Sequence, residues 1–161
     1  MGDARQHRGA GACLRRRGKK SAGGQALGRS RGGFSTKLHA AGDALGNPLA
    51  FHLTAGQQGD APQALPLLDR RSAQAVIADK AYDTDAILAA VAAGGALAVI
   101  PPRATRIHQR ATDWHLYRQR HKIENLFGFM KHYRRVFARF DKLAHRYLAF
   151  VQLVAACILL Q

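Results

Sequence analysis

Glu124 is the only glutamate in the chain, and it stands in the most basic part of it. Around it, Tyr117, Arg120, Glu124 and Lys131 follow one another at spacings of 3, 4 and 7 residues. At about 100° per residue, a helix would carry all four side chains within roughly 60° of one another. Most such charged rows are solvated faces held by internal pairs. Two features weigh against that use here. The row holds the lone Glu amid excess positive charge. A second acid, Asp79, ends a short apolar run, Ala75-Val-Ile-Ala, in the turn sequence Asp79-Lys-Ala-Tyr-Asp. Loops at strand ends commonly build sites.

The overall charge sets the class of partner. The chain has 161 residues, 25 Lys+Arg against 10 Asp+Glu, and a net charge of +15. Hydrophobic residues make up 47%, enough for a core, so this is no disordered basic tail. The charge argues against an ordinary neutral metabolic enzyme. It points to a polyanion, nucleic acid first and an anionic membrane second. It is also uneven: net +8 over residues 1–33, −2 over 34–102 and +9 over 103–161. Within the last segment Arg134, Arg135, Arg139, Lys142 and Arg146 suit sequence-neutral phosphate contacts. Neither Cys13 nor Cys157 has a CxxC partner, and the eight histidines form no HExxH, so neither a zinc site nor a disulfide framework is expected. The N-terminus has no apolar signal region, and Tyr147–Leu160 is too short to span a bilayer. A cytoplasmic protein with no membrane partner is the expectation.

These residues need elements to hold them. Residues 1–33 are rich in Gly, Ala and Arg without period and read as irregular. Residues 34–41 and 49–54 alternate as strands around the turn Asp43-Ala-Leu-Gly-Asn-Pro, a hairpin. Asp60 caps an expected helix over 61–70, with Pro62 in its first turn. Residues 75–78 read as a buried strand. A helix capped by Asp83 or Thr84 runs to Ala93 and stops at Gly94-Gly95. Residues 96–100 form another buried strand, ended by Pro101-Pro102. A basic loop follows over 103–112. One helix spans Trp114–Tyr133, with Leu116, Ile123, Phe127 and Met130 as its seat and Gly128 leaving room for a close approach. Asp141 caps a last, buried helix. Phe129, Tyr133, Phe137 and Phe140 are expected to pack in the core rather than to stack on bases. The order implies an α/β fold with a mixed sheet flanked by helices.

Six ordered blocks resemble one family. Tyr117, Arg120, Glu124 and Lys131 match the Y-R-E-K signature of bacterial insertion-sequence DDE transposases in residue type and spacing. Ala78-Asp79-Lys80-Ala81-Tyr82-Asp83 resembles that family's ADKGYD block. Gly28-Arg-Ser-Arg-Gly-Gly-Phe-Ser-Thr-Lys-Leu-His39 resembles its GRSRGG…TKIH block. Segments 43–48, 100–103 and 139–143 are similar as well. The resemblance implies an RNase H-like domain over residues 28–161, behind an irregular basic segment, 1–27. It implies metal-dependent DNA cleavage and transfer in transposition. Asp79 and Glu124 would be the second and third catalytic carboxylates and the ligands of Mg²⁺ or Mn²⁺, which prefer hard oxygen donors. Tyr117, Arg120, Lys131, Arg134 and Arg135 would contact DNA, both at the element's ends and at the target. A homo-oligomer, or a partner half from an upstream frame, would complete the assembly. The alternative is a basic DNA-binding protein that keeps only the scaffold.

One block is missing from the match. The family's first carboxylate lies in an Asp-Ser-Thr-like strand upstream of Gly28, where this chain offers only Asp3 in Gly2-Asp3-Ala4-Arg5. Residues 1–18 read like GC-rich DNA translated in another frame. The expectation is a truncated or frame-shifted product, inactive alone, whose sheet lacks its first strand and whose 34–41 strand has an unpaired edge. Translating the same DNA in the other two frames over codons 1–20 should yield an Asp-Ser-Thr-like stretch. Its absence from both refutes the frame shift.

Overall fold

The computed structural model describes residues 25–30 and 33–160, so the expectations for residues 1–24, Asp3 included, lie outside the described residues. Among the described residues the chain makes two sheets rather than the single mixed sheet expected. The first has the order β1-β2-β3, with β1 (Gly28–Ser30), β2 (Gly33–Gly42) and β3 (Pro48–Ala55). The second is a parallel pair, β4 (Ala75–Ile77) and β5 (Leu97–Val99). The helices are α1 (Ala64–Leu68), α2 (Asp85–Ala93), α3 (Trp114–Arg118), α4 (His121–Lys131), α5 (Arg134–Phe137) and α6 (Ala144–Leu159).

The described residues fall into two compact units. One comprises Ala40–Ala50 and Gly59–Leu126; the other comprises 25–30, 33–39, Phe51–Gln58 and 127–160.

In the first unit the hairpin turn follows from Asp43. Its Oδ1 accepts from the amides of Leu45 at 2.8 Å and Asn47 at 2.9 Å, and its Oδ2 from Asn47 Nδ2 at 3.0 Å. Gly46 takes φ +97, a left-handed value that a side chain would strain. Parallel β4 and β5 cannot be joined by a tight turn, so the chain crosses over through α2. The Thr84 hydroxyl caps α2 by accepting from Ile87 N. Val76, Ala78, Tyr82, Ile87, Val91 and Ile100 bury against Ala64 to form the core of this layer. Asp60 makes no side-chain cap: the expected helix at 61–70 begins as a 3-10 turn, Ala61–Gln63, and continues as the short α1.

The expected helix over Trp114–Tyr133 is broken. Tight three-residue bonds, Gln119 N to Leu116 O and Arg120 N to Tyr117 O, close α3, and His121 Nδ1 takes Arg118 O at 2.7 Å. Lys122 N, which a continuing helix would bond to Arg118 O, donates to Gln119 O instead. No Gly or Pro marks this break, which is why periodicity misses it.

In the second unit only the start of β2, Gly33–Ser35, gains a strand partner on the edge expected to be unpaired. β1, which falls where an irregular segment was expected, pairs with it antiparallel from Gly28↔Ser35 to Ser30↔Gly33, and β3 lies on its other side. Ser35 through His39 are buried. Two of the quoted blocks meet here. Arg139 is buried and donates to Thr36 Oγ1, to the carbonyls of Ala26 and Gln25, and through Nε to Asp141 O. Its guanidinium lies 5.3 Å from the centre of the Tyr147 ring, and burial lowers its pKa. Burial pushes the Tyr147 phenol up to about 12, and the hydroxyl donates to Val136 O at 2.8 Å. Asp141 does not cap α6. It pairs with Arg135 at 2.8 Å, and Leu143 takes the cap position without a side-chain bond. Only one face of α6 is buried, through Tyr147, Val151, Val154 and Ala155, while Leu153 and Cys157 are exposed. The core packing expected of the aromatics holds for Phe127 but not for Phe129, Phe137 and Phe140, which are exposed.

Gly56 gives a direct test of the second unit. Its amide donates to Ser35 O at 3.0 Å, and a Cβ on it would lie 1.9 Å from Ser35 Oγ and 3.0 Å from Ser35 O. Gly56→Ala should destabilise by about 1–3 kcal/mol in urea unfolding. Ser35→Ala in the same chain should recover part of that loss, because it removes the nearest clashing atom.

Candidate functional site

Parallel pairing decides what stands together in the first unit. With Ala75↔Leu97 through Ile77↔Val99 in register, the loops that leave β4 and β5 emerge at the same end. The first loop is Asp79–Asp83 and the second is the basic stretch after Pro102. Asp79 follows β4 as expected and is half-buried. It caps a single 3-10 turn, Lys80–Tyr82, by accepting from Ala81 N at 2.6 Å through Oδ1. Its Oδ2 makes no hydrogen bond to a described residue.

Four residues on, Asp83 is buried and collects the second loop. Its Oδ2 accepts from Arg103 N at 2.7 Å and Arg106 Nε at 2.8 Å, and its Oδ1 accepts from Arg110 Nη2 at 2.7 Å. Burial alone would push its carboxyl up. The hydrogen bonds from Arg103 N–H, Arg110 and Arg106, with the charge of Arg110, outweigh that and hold it below the usual carboxylate range. Arg106 also pairs with Asp85 at 2.7 Å. The Arg103 side chain turns back on the first loop, donating to Lys80 O at 3.2 Å and Ala81 O at 2.5 Å. Sequence reasoning missed this node. The signal available was the cluster of arginines directly after a strand parallel to the one that ends at Asp79.

The Tyr117/Arg120/Glu124 part of the row forms despite the helix break. Trp114 meets the Tyr117 ring edge-on at 5.5 Å, Arg120 lies 5.6 Å from the Tyr117 ring centre, and Arg120 pairs with Glu124 at 2.6 Å. Tyr117 is on α3, Arg120 in the turn and Glu124 in the first turn of α4. Both members of the pair are largely covered, at 20% and 27% side-chain exposure, so the attraction is poorly screened. Arg120 lines a cleft of about 50 Å³ with Asp43, Lys122, Ile123 and Ile77, the last being two residues upstream of Asp79. Hydrogen bonds from Asn47, Leu45 and Gly46 overcome burial and lower the pKa of Asp43.

The remaining expected contacts lie in the second unit. Lys131 ends α4 and is exposed. Arg134 lies 5.8 Å from the Phe140 ring centre, and Arg135, besides its pair with Asp141, sits 4.7 Å from that of Phe150. A Cβ on Gly128 would meet nothing within 4 Å, so the space beside it is open. Among the described residues no group of three or more His, Cys, Asp or Glu is disposed to hold a metal ion. No helix among them is long and apolar enough to cross a membrane.

Residues 4–160 match the family described as "Transposase DDE domain". The chain is 43% identical over 130 residues to a protein of Brucella ovis named as a transposase for insertion sequence element IS6501, covering 80% of this chain and all of that protein. It is 31% identical over 151 residues to a protein of Burkholderia cepacia named as a transposase for insertion sequence element IS402, covering 86% of this chain and 68% of that protein. No solved structure matches at a significant level.

The Asp83 node carries an acid-dependent part of the stability. Its carboxyl titrates lower folded than unfolded, so the contribution is full above the unfolded value of about 3.9 and is lost as pH falls through the folded one. Asp83→Asn should cost about 3 kcal/mol near pH 7, because three donors lose their anion. The gap between variant and wild type, measured by denaturant unfolding, should narrow below about pH 4.

Proposed function

The chain belongs to the transposase DDE domain family, and from that premise we propose that it is the catalytic portion of a bacterial insertion-sequence transposase, which cuts DNA and joins it elsewhere. We take residues 28–161 as one RNase H-like catalytic domain behind a basic segment, 1–27, and the cytoplasm as its place of action. The observation that carries the reading is Asp79 at the end of a parallel strand, in the same unit as the Arg120–Glu124 pair.

Asp79 and Glu124 are the residues that would hold a divalent cation, Mg²⁺ or Mn²⁺. Their donor set fits: both are half-buried carboxylates with hard oxygens, and Asp79 spends one oxygen on its turn and keeps the other. A cation held by them would supply Lewis-acid stabilisation of a phosphodiester. The chain supplies orientation and charge. Arg120 holds the Glu124 carboxylate in place and is itself steadied by the Tyr117 ring. Lys131, Arg134 and Arg135 present cations to the DNA backbone, Arg135 in competition with Asp141. The second reading is DNA binding without cleavage, which the net charge of +15 supports without either carboxylate.

Variants at the carboxylates separate the two readings. With the upstream half supplied, Asp79→Ala and Glu124→Gln should each lower Mg²⁺-dependent nicking of plasmid carrying the element's ends by at least about 100-fold, with DNA affinity nearly unchanged. Unaltered nicking in either variant refutes its assignment. Arg134→Ala should weaken binding to all duplexes alike and reduce the salt slope by about 1. A slope that does not move removes Arg134 from the contact set.

A further inference from the structure

We infer that Arg103, anchored by Asp83, is a positioning residue for Asp79, fixing the turn that the Asp79 carboxylate caps. The inference deepens the reading of Asp79 as a metal ligand and rests on it.

A single 3-10 turn has little stability of its own. Lys80–Tyr82 is held at one end by Asp79, whose Oδ1 accepts from Ala81 N. The Lys80 carbonyl closes the turn by accepting from Asp83 N at 3.2 Å. The Arg103 guanidinium donates to two carbonyls of the turn, Lys80 O and Ala81 O. The link is closed in both directions. The Arg103 main-chain N–H donates to the Asp83 side chain, and the Arg103 side chain donates to the main chain of the turn that leads to Asp83. The peptide unit at Ala81 is therefore gripped twice, its N–H by Asp79 and its C=O by Arg103. Fixing that residue fixes which way the Asp79 carboxylate stands and leaves Oδ2 available.

Arg106 and Arg110 bind Asp83 independently of the Arg103 side chain. Removing the Arg103 guanidinium therefore leaves the loop anchored and loosens only the turn. That separates a positioning role from a purely structural one.

The test uses the full chain with Mn²⁺ as the probe. Mn²⁺ binding is followed by the EPR signal of the free ion, nicking with the upstream half supplied is followed across a Mn²⁺ titration, and exchange of the Ala81 amide is followed without metal. Asp79→Ala should abolish Mn²⁺ binding. Arg103→Ala should raise the Mn²⁺ dissociation constant about tenfold, with nicking restored at saturating Mn²⁺. It should also speed Ala81 exchange, while the other core amides keep their protection. Arg103→Lys keeps the cation and loses the two-pronged contact, so it should fall between Arg103→Ala and wild type. It serves as the judging variant if Arg103→Ala fails to fold. Wild-type Mn²⁺ affinity in a folded Arg103 variant, while Asp79→Ala has lost binding, overturns the positioning role. If Asp79→Ala binds Mn²⁺ like wild type, the metal-ligand reading fails instead. Ala81 exchange then judges the clamp alone: faster exchange in the Arg103 variants supports it, and unchanged exchange overturns it.

Discussion

A buried carboxylate in a chain of net charge +15 organises what surrounds it. Asp83 takes one backbone and two guanidinium donors from the loop after β5. A loop carrying arginines at 103, 106 and 110 would repel itself without an anion inside it. With Asp83 at its root the loop has a defined path, and Arg103 is delivered to the turn that holds Asp79. The parallel β4–β5 pair makes this possible because it brings two strand ends to one side. The geometry around Asp79 thus depends on a residue that touches no part of the proposed chemistry.

Much of the fold was legible from local signals. The hairpin at Asp43, the strand ending at Asp79, the α2 stop at Gly94-Gly95 and the Thr84 cap each have a short-range cause, and short-range causes leave marks in the sequence. What was not legible came from residues far apart. The break between α3 and α4 has no Gly or Pro; there the main-chain bonds tighten to three residues, and His121 Nδ1 donates to Arg118 O. Arg139 reads as one more surface cation until Thr36, 103 positions away, is known to accept from it. Asp141 was legible as a cap and is a partner of Arg135 instead, because a carboxylate near a guanidinium gains more there than at a helix end. The candidate site divides the same way. The Tyr117–Arg120–Glu124 grouping followed from spacing, and the Asp83 node did not.

The structure also revises what the charge means. Of the 12 basic residues in 103–161, seven are committed within the protein: Arg103, Arg106, Arg110, Arg120, Lys122, Arg135 and Arg139. Such cations support the architecture, and their release of counterions on DNA would be partial at best. Within residues 103–161 the charge left to face a polyanion is therefore smaller than the count of cations suggests.

Sequence separation sets the order in which these contacts can form. β4 and β5 pair across 22 residues, and Asp83 reaches Arg103, Arg106 and Arg110 across 20, 23 and 27. The clasp between Arg139 and Thr36 must close a loop about four to five times as long. Closing that loop costs more chain entropy, and contacts of low sequence separation dominate fast folding. On a ribosome the Asp83 node is complete once Arg110 has emerged, whereas the Arg139 clasp waits for nearly the whole chain. The segment that carries Asp79 can therefore be ordered before the basic C-terminal helices exist.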